Sequence, residues 1–529
     1  MAKTQNMKTP ALFKTLPFRI SYAALEVKHM TADQQSTYLM KTSESFRIVI
    51  STMSCAISAF TGLVGLPVGA QSLPLGPLIE LSQPNPVAGC DDGFSVPGKW
   101  TVNDATEPFV AVNPVHPNNM VVAWILGPFQ NVIAGVSFNG GQSWQQVPIP
   151  FSLCSGGPYL ATGDPRLAFA PNGDLYAFGV TAQALATRGV SLSKSTDGGL
   201  HWSPQLDLPG NTYAPNDLPT VTHDPADAHF VYAIWDGTDT GHRGPAVFSR
   251  TTDGGLTWEP SRAIVQTTPQ DYVQFSQILV LPNGTLVDLF EFVNVKDSGH
   301  GIQQTFSLEL MRSTDRGLNW SGPALATTML PLYGGPVGNS VITDPDTGQL
   351  VQDPINPSFA LDSKNGSLYA VWEDGRFSNF QYNDIAFSMS SDGGTTWSIP
   401  TRINRTPLNI APLNRQAFLP AIAVLANGTI GVSYYDFRFN DSSPGVPTDR
   451  WLVLCQPSAT TPASDPANWY KEVRLTSNSF DLEACKLQGT AFFVGDYMGL
   501  AAAGNSFVAV FTQPDQNSVQ AIFARRVSP

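Results

Sequence analysis

An eight-residue motif that recurs along the chain restricts the possible folds more than any other feature of the sequence. Its cleanest copy, residues 390–397, reads Ser-x-Asp-x-Gly-x-Thr-Trp. Similar copies occupy residues 195–202, 251–258 and 313–320, and a weaker copy with Asn139 in the Asp place occupies 137–144. Successive copies start 58, 56, 62 and 77 residues apart, counted from residues 137, 195, 251, 313 and 390. This spacing indicates an array of similar structural units.

The residues of the motif are suited to a tight turn between two antiparallel strands. An Asp side chain accepts hydrogen bonds from the backbone N–H groups of its own turn, and Gly adopts the positive φ that other residues resist. The Trp ring can then close the turn by packing over it. Because each copy follows an apolar, strand-like run, we predict that each copy ends one strand and begins another.

A second repeat lies in phase with the motif and predicts the strands. Each unit has a short apolar strand, a turn at Gly or Asn, and a strand rich in aromatic and β-branched residues. The seven units begin at Glu107, Asp164, Asp217, Gln274, Asn356, Phe418 and Asp496. Only 13% of the residues are charged, and there are 45 Gly and 43 Pro. This composition favours an all-β fold without long amphipathic helices.

The motif resembles the Asp-box, or BNR repeat, of the sialidase superfamily of β-propellers. In that family the box joins the third and fourth strands of a blade and serves folding, so we interpret its Asp residues as structural rather than as ligands or catalysts. The resemblance implies a β-propeller of four-stranded blades. Seven units predict seven blades, and a six-bladed ring with one extra unit is the alternative.

The predicted domain organisation places one propeller at residues 106–529, preceded by an arm rich in Pro and Gly at residues 71–105. The seventh unit has room for about three strands before Pro529. A propeller must close its ring, and we expect a strand near residues 100–103 to supply the missing fourth strand.

Residues 1–70 have the pattern of a secretory signal peptide. Lys41 and Arg47 precede an uncharged, apolar run, and Val68-Gly69-Ala70 provides small residues before a cut after Ala70. A signal anchor is the alternative, and translation that starts at Met30 or Met40 would shorten the leader. We therefore predict a secreted or periplasmic protein that is not stably inserted in a membrane after cleavage.

Cysteine usage agrees with export. Cys55 lies in the apolar run, and the four remaining cysteines permit two disulfides, for which we predict the pairs Cys90–Cys154 and Cys455–Cys485. Four buried thiols are the alternative. No cysteine or histidine spacing suggests a metal site, and we expect no cofactor. The formal net charge of -13 argues against a nucleic-acid partner, because a phosphate backbone requires a basic surface.

Charged residues concentrate where a propeller would bring them to one face, opposite the boxes. The ends of predicted second strands carry Glu373, Asp374 with Arg376, and Asp436 with Arg438. The starts of units carry Glu107, Asp164 with Arg166, Asp217, Arg415 with Gln416, and Asp496 with Tyr497. Arginines around one pocket would bind an acidic sugar through paired hydrogen bonds. Alternatively, each Asp-x-Arg sequence forms a local ion pair that holds its loop.

The resemblance to sialidases suggests roles for several of these residues. Members use three arginines to bind the substrate carboxylate, a tyrosine nucleophile that a glutamate activates, and an aspartate as acid and base. By order along the chain, Arg166, Arg376 and Arg438 match the arginines, Tyr497 the nucleophile and Glu373 its activator. Asp164 is the nearest counterpart of the aspartate. We assign Asp374, Asp436 and Asp496 to substrate binding beside them.

We therefore expect an exported, sialidase-like glycoside hydrolase that acts on an acidic or polar glycan. A propeller that binds a glycan or a protein without catalysis is one alternative, and a polysaccharide lyase is another.

Overall fold

The computed structural model is built almost entirely from β-strands. It describes residues 73–90, 100–183, 188–209, 216–239, 242–268, 270–297, 302–334, 339–351, 355–458 and 460–529. In these ranges the only helices are short 3-10 turns at Leu153–Ser155, Arg376–Ser378, Pro412–Arg415, Pro466–Asn468 and Leu482–Ala484. None of the helices in these ranges is long and apolar enough to cross a membrane. The predicted signal peptide and its cut after Ala70 lie outside the described residues.

After strand β1, Leu75–Glu80, the first four sheets follow one another along the chain, each with its strands in sequential order. The first contains β2 Ala105–Val112, β3 Met120–Leu126, β4 Asn131–Ser137 and β5 Gln145–Pro148. The second contains β6 Ala161–Phe169, β7 Leu175–Ala182, β8 Arg188–Ser195 and β9 Leu206–Asp207. The third contains β10 Asp217–His223, β11 Val231–Asp239, β12 His242–Thr251 and β13 Arg262–Ala263. The fourth contains β14 Tyr272–Val280, β15 Leu286–Asp297, β16 Ile302–Ser313 and β17 Ala324–Met329.

Short strands between the fourth and fifth sheets form hairpins. They are β18 Tyr333–Gly334, β19 Asn339–Ser340, β20 Ile342–Thr343 and β21 Leu350–Val351. The fifth sheet contains β22 Ser358–Leu361, β23 Leu368–Asp374, β24 Asp384–Ser390 and β25 Thr401–Arg402. The sixth contains β26 Ala417–Val424, β27 Ile430–Asp436, β28 Pro447–Cys455 and β29 Lys471–Arg474, and β30 Phe480–Asp481 also pairs with β28.

The last strands are β31 Lys486–Gln488, β32 Ala491–Phe493, β33 Gly499–Ala503, β34 Ser506–Pro514 and β35 Gln520–Val527. Strand β32 pairs in parallel with β21, so β20, β21, β32 and β31 form a small sheet from two separate linkers. Strands β33, β34 and β35 form the seventh sheet together with β1, which pairs with β35.

The first strands of the seven sheets contact one another in a closed cycle. Strand β2 contacts β6, and the contacts continue through β10, β14, β22, β26 and β33, which returns to β2. The hydrophobic clusters lie between consecutive sheets rather than in one central core. The β-propeller prediction is therefore confirmed, and the first strands of seven sheets take part in the cycle.

The strand that closes the ring is not the predicted one. Strand β1 completes the seventh sheet, so the closing strand lies in the arm that we expected to precede the propeller. Trp100 instead packs in an aromatic cluster with Phe129 and Phe493, at ring distances of 5.8 and 5.9 Å. Its indole N–H donates to the Leu487 carbonyl at 3.0 Å. Residues 100–103 are therefore held beside the first sheet and are not available to the seventh.

Each motif copy begins at the last residue of the third strand of its sheet, as in β24, which ends at Ser390. In that copy Asp392 Oδ1 accepts from the Thr396 N–H at 2.9 Å, and Ser390 Oγ accepts from the Gly394 N–H at 2.8 Å. The Trp397 indole N–H donates to the Gly394 carbonyl at 3.2 Å. The Asp of the motif thus organises a turn, and hydrogen bonds to its carboxylate lower the pKa of Asp392 to about 2.

Basic side chains link a sheet to the motif turn of the next sheet. Lys194 and Arg312, each directly before a motif copy, donate to the backbone carbonyls of Gly254 at 2.8 Å and Gly393 at 2.9 Å. Arg250 and Arg526 make the corresponding contacts to the carbonyls of Arg316 and Gly140. The equivalent residue of the fifth sheet is Met389, and the sixth sheet has no motif copy. In the first sheet the equivalent residue is Val136, and the Asn119 side-chain amide instead donates to the Gly198 carbonyl of the second sheet's motif turn at 3.1 Å.

One of the two predicted disulfides is confirmed and the other is wrong. Cys90 and Cys154 form a disulfide, whereas Cys455 and Cys485 are both free and buried. Cys455 lies in the cluster between the fifth and sixth sheets, and Cys485 in the cluster between the sixth and seventh. The sixth sheet thus separates two cysteines that are close along the chain.

Asp288 is a carboxyl group in an otherwise apolar position. It is the third residue of its sheet's second strand, and the equivalent residues are Val122, Ala177, Ala233, Ala370, Val432 and Val508. Asp288 is fully buried opposite Ile278 and Met311, and neither carboxyl oxygen has a hydrogen-bond partner among the described residues. Burial raises the pKa of Asp288 well above its usual value.

We predict that Asp288→Val stabilises the propeller at neutral pH. The pKa of Asp288 is higher in the folded state than in the unfolded chain, where an Asp has a pKa of about 4. The free energy of unfolding therefore falls as the pH rises above about 4. Removing the group should raise the free energy of unfolding by about 1–3 kcal/mol at pH 7 and by less at pH 4. Chemical denaturation at both pH values measures this, with Asp288→Asn as the isosteric comparison. A loss of stability in Asp288→Val at pH 7 would contradict it.

We predict that Arg312→Met, which introduces the residue found at the equivalent position 389, weakens the contact between the fourth and fifth sheets. Loss of a charged hydrogen bond to the Gly393 carbonyl should lower the free energy of unfolding by about 1–3 kcal/mol. Lys364→Met, in an exposed turn of the fifth sheet, is the matched control and should have little effect. Equal melting temperatures for the two variants would show that the link is not stabilising.

Candidate functional site

A cavity of about 80 Å³ lies where the first strands of the sheets converge. All seven sheets, or the segments directly before them, contribute to its lining, with Phe109, Arg166, Leu218, Phe275, Pro357, Pro420 and Tyr497 as one residue from each. Such an axial cavity receives side chains that are far apart in the sequence. It is therefore the place where the fold can assemble a site.

The first strands have a shared distortion at the edge of this cavity. Glu107, Asp164, Leu218, Phe275 and Leu419 all have positive φ, between 47° and 56°. Each lies at a register shift between the first and second strands of its sheet. Because apolar residues share this conformation with Glu107 and Asp164, it is a property of the fold. Leu218 and Phe275 of these five line the cavity.

Arg166 and Tyr497 form the wall of the cavity between the second and seventh sheets. The guanidinium carbon of Arg166 lies 3.4 Å from the centre of the Tyr497 ring and 5.1 Å from that of Phe109. Arg166 is only 8% exposed, and its Nη1 donates to the Pro165 carbonyl at 3.2 Å. The Tyr497 hydroxyl donates to the same carbonyl at 3.4 Å. Two of the predicted site residues thus stack directly on each other.

Four carboxyl groups surround this pair. Glu107 Oε1 accepts from the Asp496 backbone N–H at 3.2 Å, and Glu107 Oε2 is buried without a hydrogen-bond partner among the described residues. Asp164 interacts electrostatically with Asp217, Asp496 and Arg166. Asp217 in turn forms an ion pair with Arg188 at 3.0 Å. The start of the first three sheets and the segment before the seventh therefore form one acidic cluster.

The carboxyl groups of this cluster hold protons more tightly than usual. Burial raises the pKa of Glu107 well above its ordinary value, and Asp164 and Asp496 raise it further, while Arg166 lowers it. Burial also raises the pKa of Asp164, as do Asp217 and Asp496, and Arg166 and Arg188 lower it. Burial raises the pKa of Tyr497 well above 10 despite the opposing effect of Arg166. The Tyr497 phenol is therefore protonated at neutral pH, and Glu107 and Asp164 hold their protons to a higher pH than ordinary carboxyl groups do.

The segment before the seventh sheet is held against the first sheet by Gly495. It has a φ of 116°, and a side chain there would come within 2.7 Å of Thr106 Oγ1 and 3.0 Å of the Glu107 backbone nitrogen. Thr106 Oγ1 donates to the Val494 carbonyl at 2.9 Å. This close approach requires glycine and places Asp496 and Tyr497 beside Glu107.

Arg376 forms an ion pair with Asp374, two residues earlier in the sequence. Its Nε and Nη2 donate to the two oxygens of Asp374, both at 2.8 Å, and Nη2 also donates to the Thr328 carbonyl at 2.5 Å. Asp374 is fully buried and also accepts from the Trp372 indole N–H at 2.8 Å. Arg376 and Asp374 thus form the local ion pair that was the alternative interpretation of the Asp-x-Arg sequence.

Arg438 has the same arrangement in the sixth sheet. Its Nε donates to Asp436 at 2.7 Å and its Nη1 to Glu472 at 2.6 Å, and its guanidinium stacks 3.6 Å from the Trp451 ring centre. Burial raises the pKa of Asp436 to about 6, although Arg438 opposes the shift. Arg438 is only 7% exposed at its side chain, so this network is closed.

Glu373 makes a contact that recurs elsewhere in the ring. It is fully buried, and its Oε1 accepts from the Leu419 backbone N–H at 2.9 Å. Asp236 accepts from the Phe275 backbone N–H at 3.2 Å in the corresponding place. Leu419 and Phe275 are both positive-φ residues of the following sheet. A carboxylate at the end of one second strand thus holds the distorted first strand of the next sheet.

The structure brings together four of the predicted site residues, Asp164, Arg166, Asp496 and Tyr497. Glu107, Asp217 and Arg188 are additional members of the cluster that our sequence predictions did not assign to the site. The sequence contained a signal for Glu107, because Glu107-Pro108 and Asp164-Pro165 occupy the same place in their units. Within the described ranges, no group of three His, Cys, Asp or Glu residues is placed to hold a metal ion.

Known structures with similar folds were found, but no family model matches the chain and no curated protein matches it. A Hadza microbial sialidase shares 15% identity over 77% of this chain and 74% of its own, with a TM-score of 0.41. An α-L-arabinofuranosidase from Fusarium graminearum shares 12% identity over 86% and 98%, with a TM-score of 0.43. An ulvan lyase, a polysaccharide lyase, shares 10% identity over 80% and 93%, with a TM-score of 0.46. We transfer no activity from these similarities.

We predict that the Tyr497 ring, rather than its hydroxyl, holds Arg166 in place. Tyr497→Phe keeps the π face and should leave the melting temperature near that of the wild type. Tyr497→Leu removes the cation–π contact and should cost about 1–2 kcal/mol of stability. Thermal denaturation of the two variants measures the difference, and an equal loss in both would contradict the stacking role.

Proposed function

We propose that the protein is a glycoside hydrolase whose acid–base groups are Glu107 and Asp164. The observation that carries this proposal is a pair of carboxyl groups, the buried Glu107 and the half-buried Asp164, that interact electrostatically with Arg166, which itself lines the axial cavity; both carboxyl groups have raised pKa values. Hydrolysis of a glycosidic bond needs one carboxylic acid to protonate the leaving oxygen and one carboxylate to assist on the other side.

The environment of the pair supplies both protonation states. Burial raises the pKa of both groups, and Asp164 raises that of Glu107 further, which favours a proton on Glu107. Arg166 lowers both pKa values and so favours the ionised form, which the second group needs. The protonated group can donate to the glycosidic oxygen, and the ionised group can assist a water molecule or stabilise positive charge on the sugar.

Tyr497 and Glu373 receive different roles from those that the sialidase resemblance implies. The Tyr497 phenol is buried and its pKa is raised, which disfavours the phenolate that a tyrosine nucleophile requires. Glu373 holds the Leu419 backbone. We therefore assign Tyr497 to positioning of Arg166 and give Glu373 no part in the chemistry.

A glycan substrate is supported by the resemblance of the repeated motif and by the polar side chains at the cavity. Thr220, Gln277, Asn356 and Ser358 line it with hydroxyl and amide groups, which match the hydroxyl groups of a sugar. Export of the protein and its cleavage after Ala70 remain predictions.

We predict that Glu107→Gln and Asp164→Asn each lower kcat/KM on a responsive glycoside by about 100-fold or more, because each removes an acid–base group. A panel of fluorogenic glycosides identifies the responsive substrate. Glu483→Gln, which makes the same change at an exposed position, is the matched control and should retain activity. Circular dichroism and melting temperature verify the fold of each variant.

Other outcomes would overturn this proposal. Wild-type activity that survives in Glu107→Gln and Asp164→Asn would place the chemistry elsewhere. Cleavage of a uronate polysaccharide with a new ultraviolet-absorbing double bond would identify a lyase. Retained binding to a glycan array without turnover of any glycoside would identify a binding protein.

A further inference from the structure

Three aromatic side chains pack together outside the hydrophobic clusters that join neighbouring sheets. The Trp100 ring lies 5.8 Å from that of Phe129 and 5.9 Å from that of Phe493, and the rings of Phe129 and Phe493 are 6.1 Å apart. Within the described ranges, the clusters between sheets include none of the three. Phe493 is fully buried, whereas Trp100 and Phe129 are half-buried. These two residues therefore keep surface that a ligand can contact.

Phe129 adjoins the segment that carries Asp164. The Phe129 carbonyl accepts from the Thr162 N–H at 2.9 Å, two residues before Asp164. A Cβ atom at Gly163, directly before Asp164, would lie 3.6 Å from the Phe129 ring. One face of the aromatic cluster is thus in contact with the start of the second sheet, where the first of the two proposed acid–base carboxyl groups lies.

Trp100 and Phe493 belong to the segments beside Glu107. Val494, the residue after Phe493, accepts from Thr106 Oγ1 at 2.9 Å, and Thr106 directly precedes Glu107. Trp100 lies in the segment that leads into the same strand, β2. The aromatic cluster therefore adjoins the backbone segments of both proposed acid–base residues.

The two half-buried residues are fixed in place. The Trp100 indole N–H donates to the Leu487 carbonyl at 3.0 Å, and Asp104 holds the same segment by accepting from the Thr101 N–H. Phe129 has a φ of 60°, a left-handed conformation that is costly for a bulky residue and that concentrates at binding and catalytic sites. Rings that are already fixed lose little conformational entropy when a ligand binds.

Fixed aromatic rings of this kind suit the C–H face of a sugar. The face of an aromatic ring carries partial negative charge and the C–H groups of a pyranose carry partial positive charge, so stacking adds attraction to the burial of apolar surface. We propose that Trp100 and Phe129 form a subsite for a second sugar residue, next to the sugar that is cleaved at Glu107 and Asp164. This inference rests on the proposed function, and it assigns the substrate to oligosaccharides or polysaccharides.

Substrates with and without a second sugar test the subsite. After the glycoside panel has identified the cleaved sugar, its glycosyl fluoride, which has neither a second sugar nor an aryl group, is compared with its trisaccharide. Trp100→Leu and Phe129→Leu should each lower kcat/KM for the trisaccharide by about tenfold, mainly through KM, because stacking is lost. Both variants should retain the kcat/KM of the wild type for the glycosyl fluoride.

Conservative variants separate stacking from a purely structural role. Trp100→Phe and Phe129→Tyr keep an aromatic face and should retain most of the activity on the trisaccharide. Phe138→Leu is the matched control, because Phe138 is 53% exposed at the other end of β4 from Phe129, and it should leave both substrates unaffected. Equal losses on the fluoride and the trisaccharide in Trp100→Leu and Phe129→Leu would show that the rings only support the fold, and would overturn the inference.

A binding measurement separates failure of the inference from failure of the proposed function. A glycan array is probed with the wild type, Trp100→Leu and Trp100→Phe. Binding of an oligosaccharide that is lost in Trp100→Leu and kept in Trp100→Phe, without turnover of any glycoside, would support the subsite and refute the hydrolase. Turnover of the glycosyl fluoride, with oligosaccharide binding and cleavage unchanged in Trp100→Leu, would overturn the inference and leave the hydrolase intact. Neither binding nor turnover in the wild type would overturn both.

Discussion

The structure depends on closure of the ring by strands from the two ends of the described chain. Strand β1 pairs with β35, and only then is the seventh sheet complete and its edge covered. The cycle of contacts among the first strands follows from this closure, because β33 must lie beside β2. An open array of the same sheets would leave the seventh and first sheets unpaired, and Asp496 and Tyr497 would not lie beside Glu107.

Closure also creates the electrostatic character of the candidate site. Radial packing puts the start of every unit near one axis, and four of the seven units begin with an acidic residue, namely Glu107, Asp164, Asp217 and Asp496. Burial raises the pKa values of Glu107 and Asp164, and Arg166 opposes the shift of both groups. Clusters with raised pKa values are uncommon in purely structural positions, where apolar residues such as Leu218 and Phe275 fill the same place.

Much of the fold could be predicted from the sequence, because the interactions that determine it join residues that are close along the chain. The Asp and Gly of each motif copy form their turn through hydrogen bonds within four residues, so that the pattern and the geometry correspond directly. The first and second strands of each unit are likewise neighbours in sequence. The sequence did not show that β1, rather than residues 100–103, closes the ring. This depends on the pairing of β1 with β35, which lie far apart along the described chain.

The candidate site could be predicted only in part, because some of its contacts join residues that are far apart along the chain. Asp164, Arg166, Asp496 and Tyr497 lie at the starts of units, where the radial geometry alone brings them to the axis. Arg376 and Arg438 also lie near this face, but each has a carboxylate two residues earlier that it can reach without leaving its loop. The pairing of Cys455 with Cys485 failed because closeness in sequence does not show which side of a sheet a residue faces.

The most direct test of the proposed site is a crystal structure of the Glu107→Gln variant with a bound glycoside substrate. We expect the sugar in the axial cavity, with its glycosidic oxygen within hydrogen-bond distance of Asp164 and with Arg166 still stacked on Tyr497. A sugar bound against Arg376 or Arg438, with the axial cavity unoccupied, would contradict the proposed site.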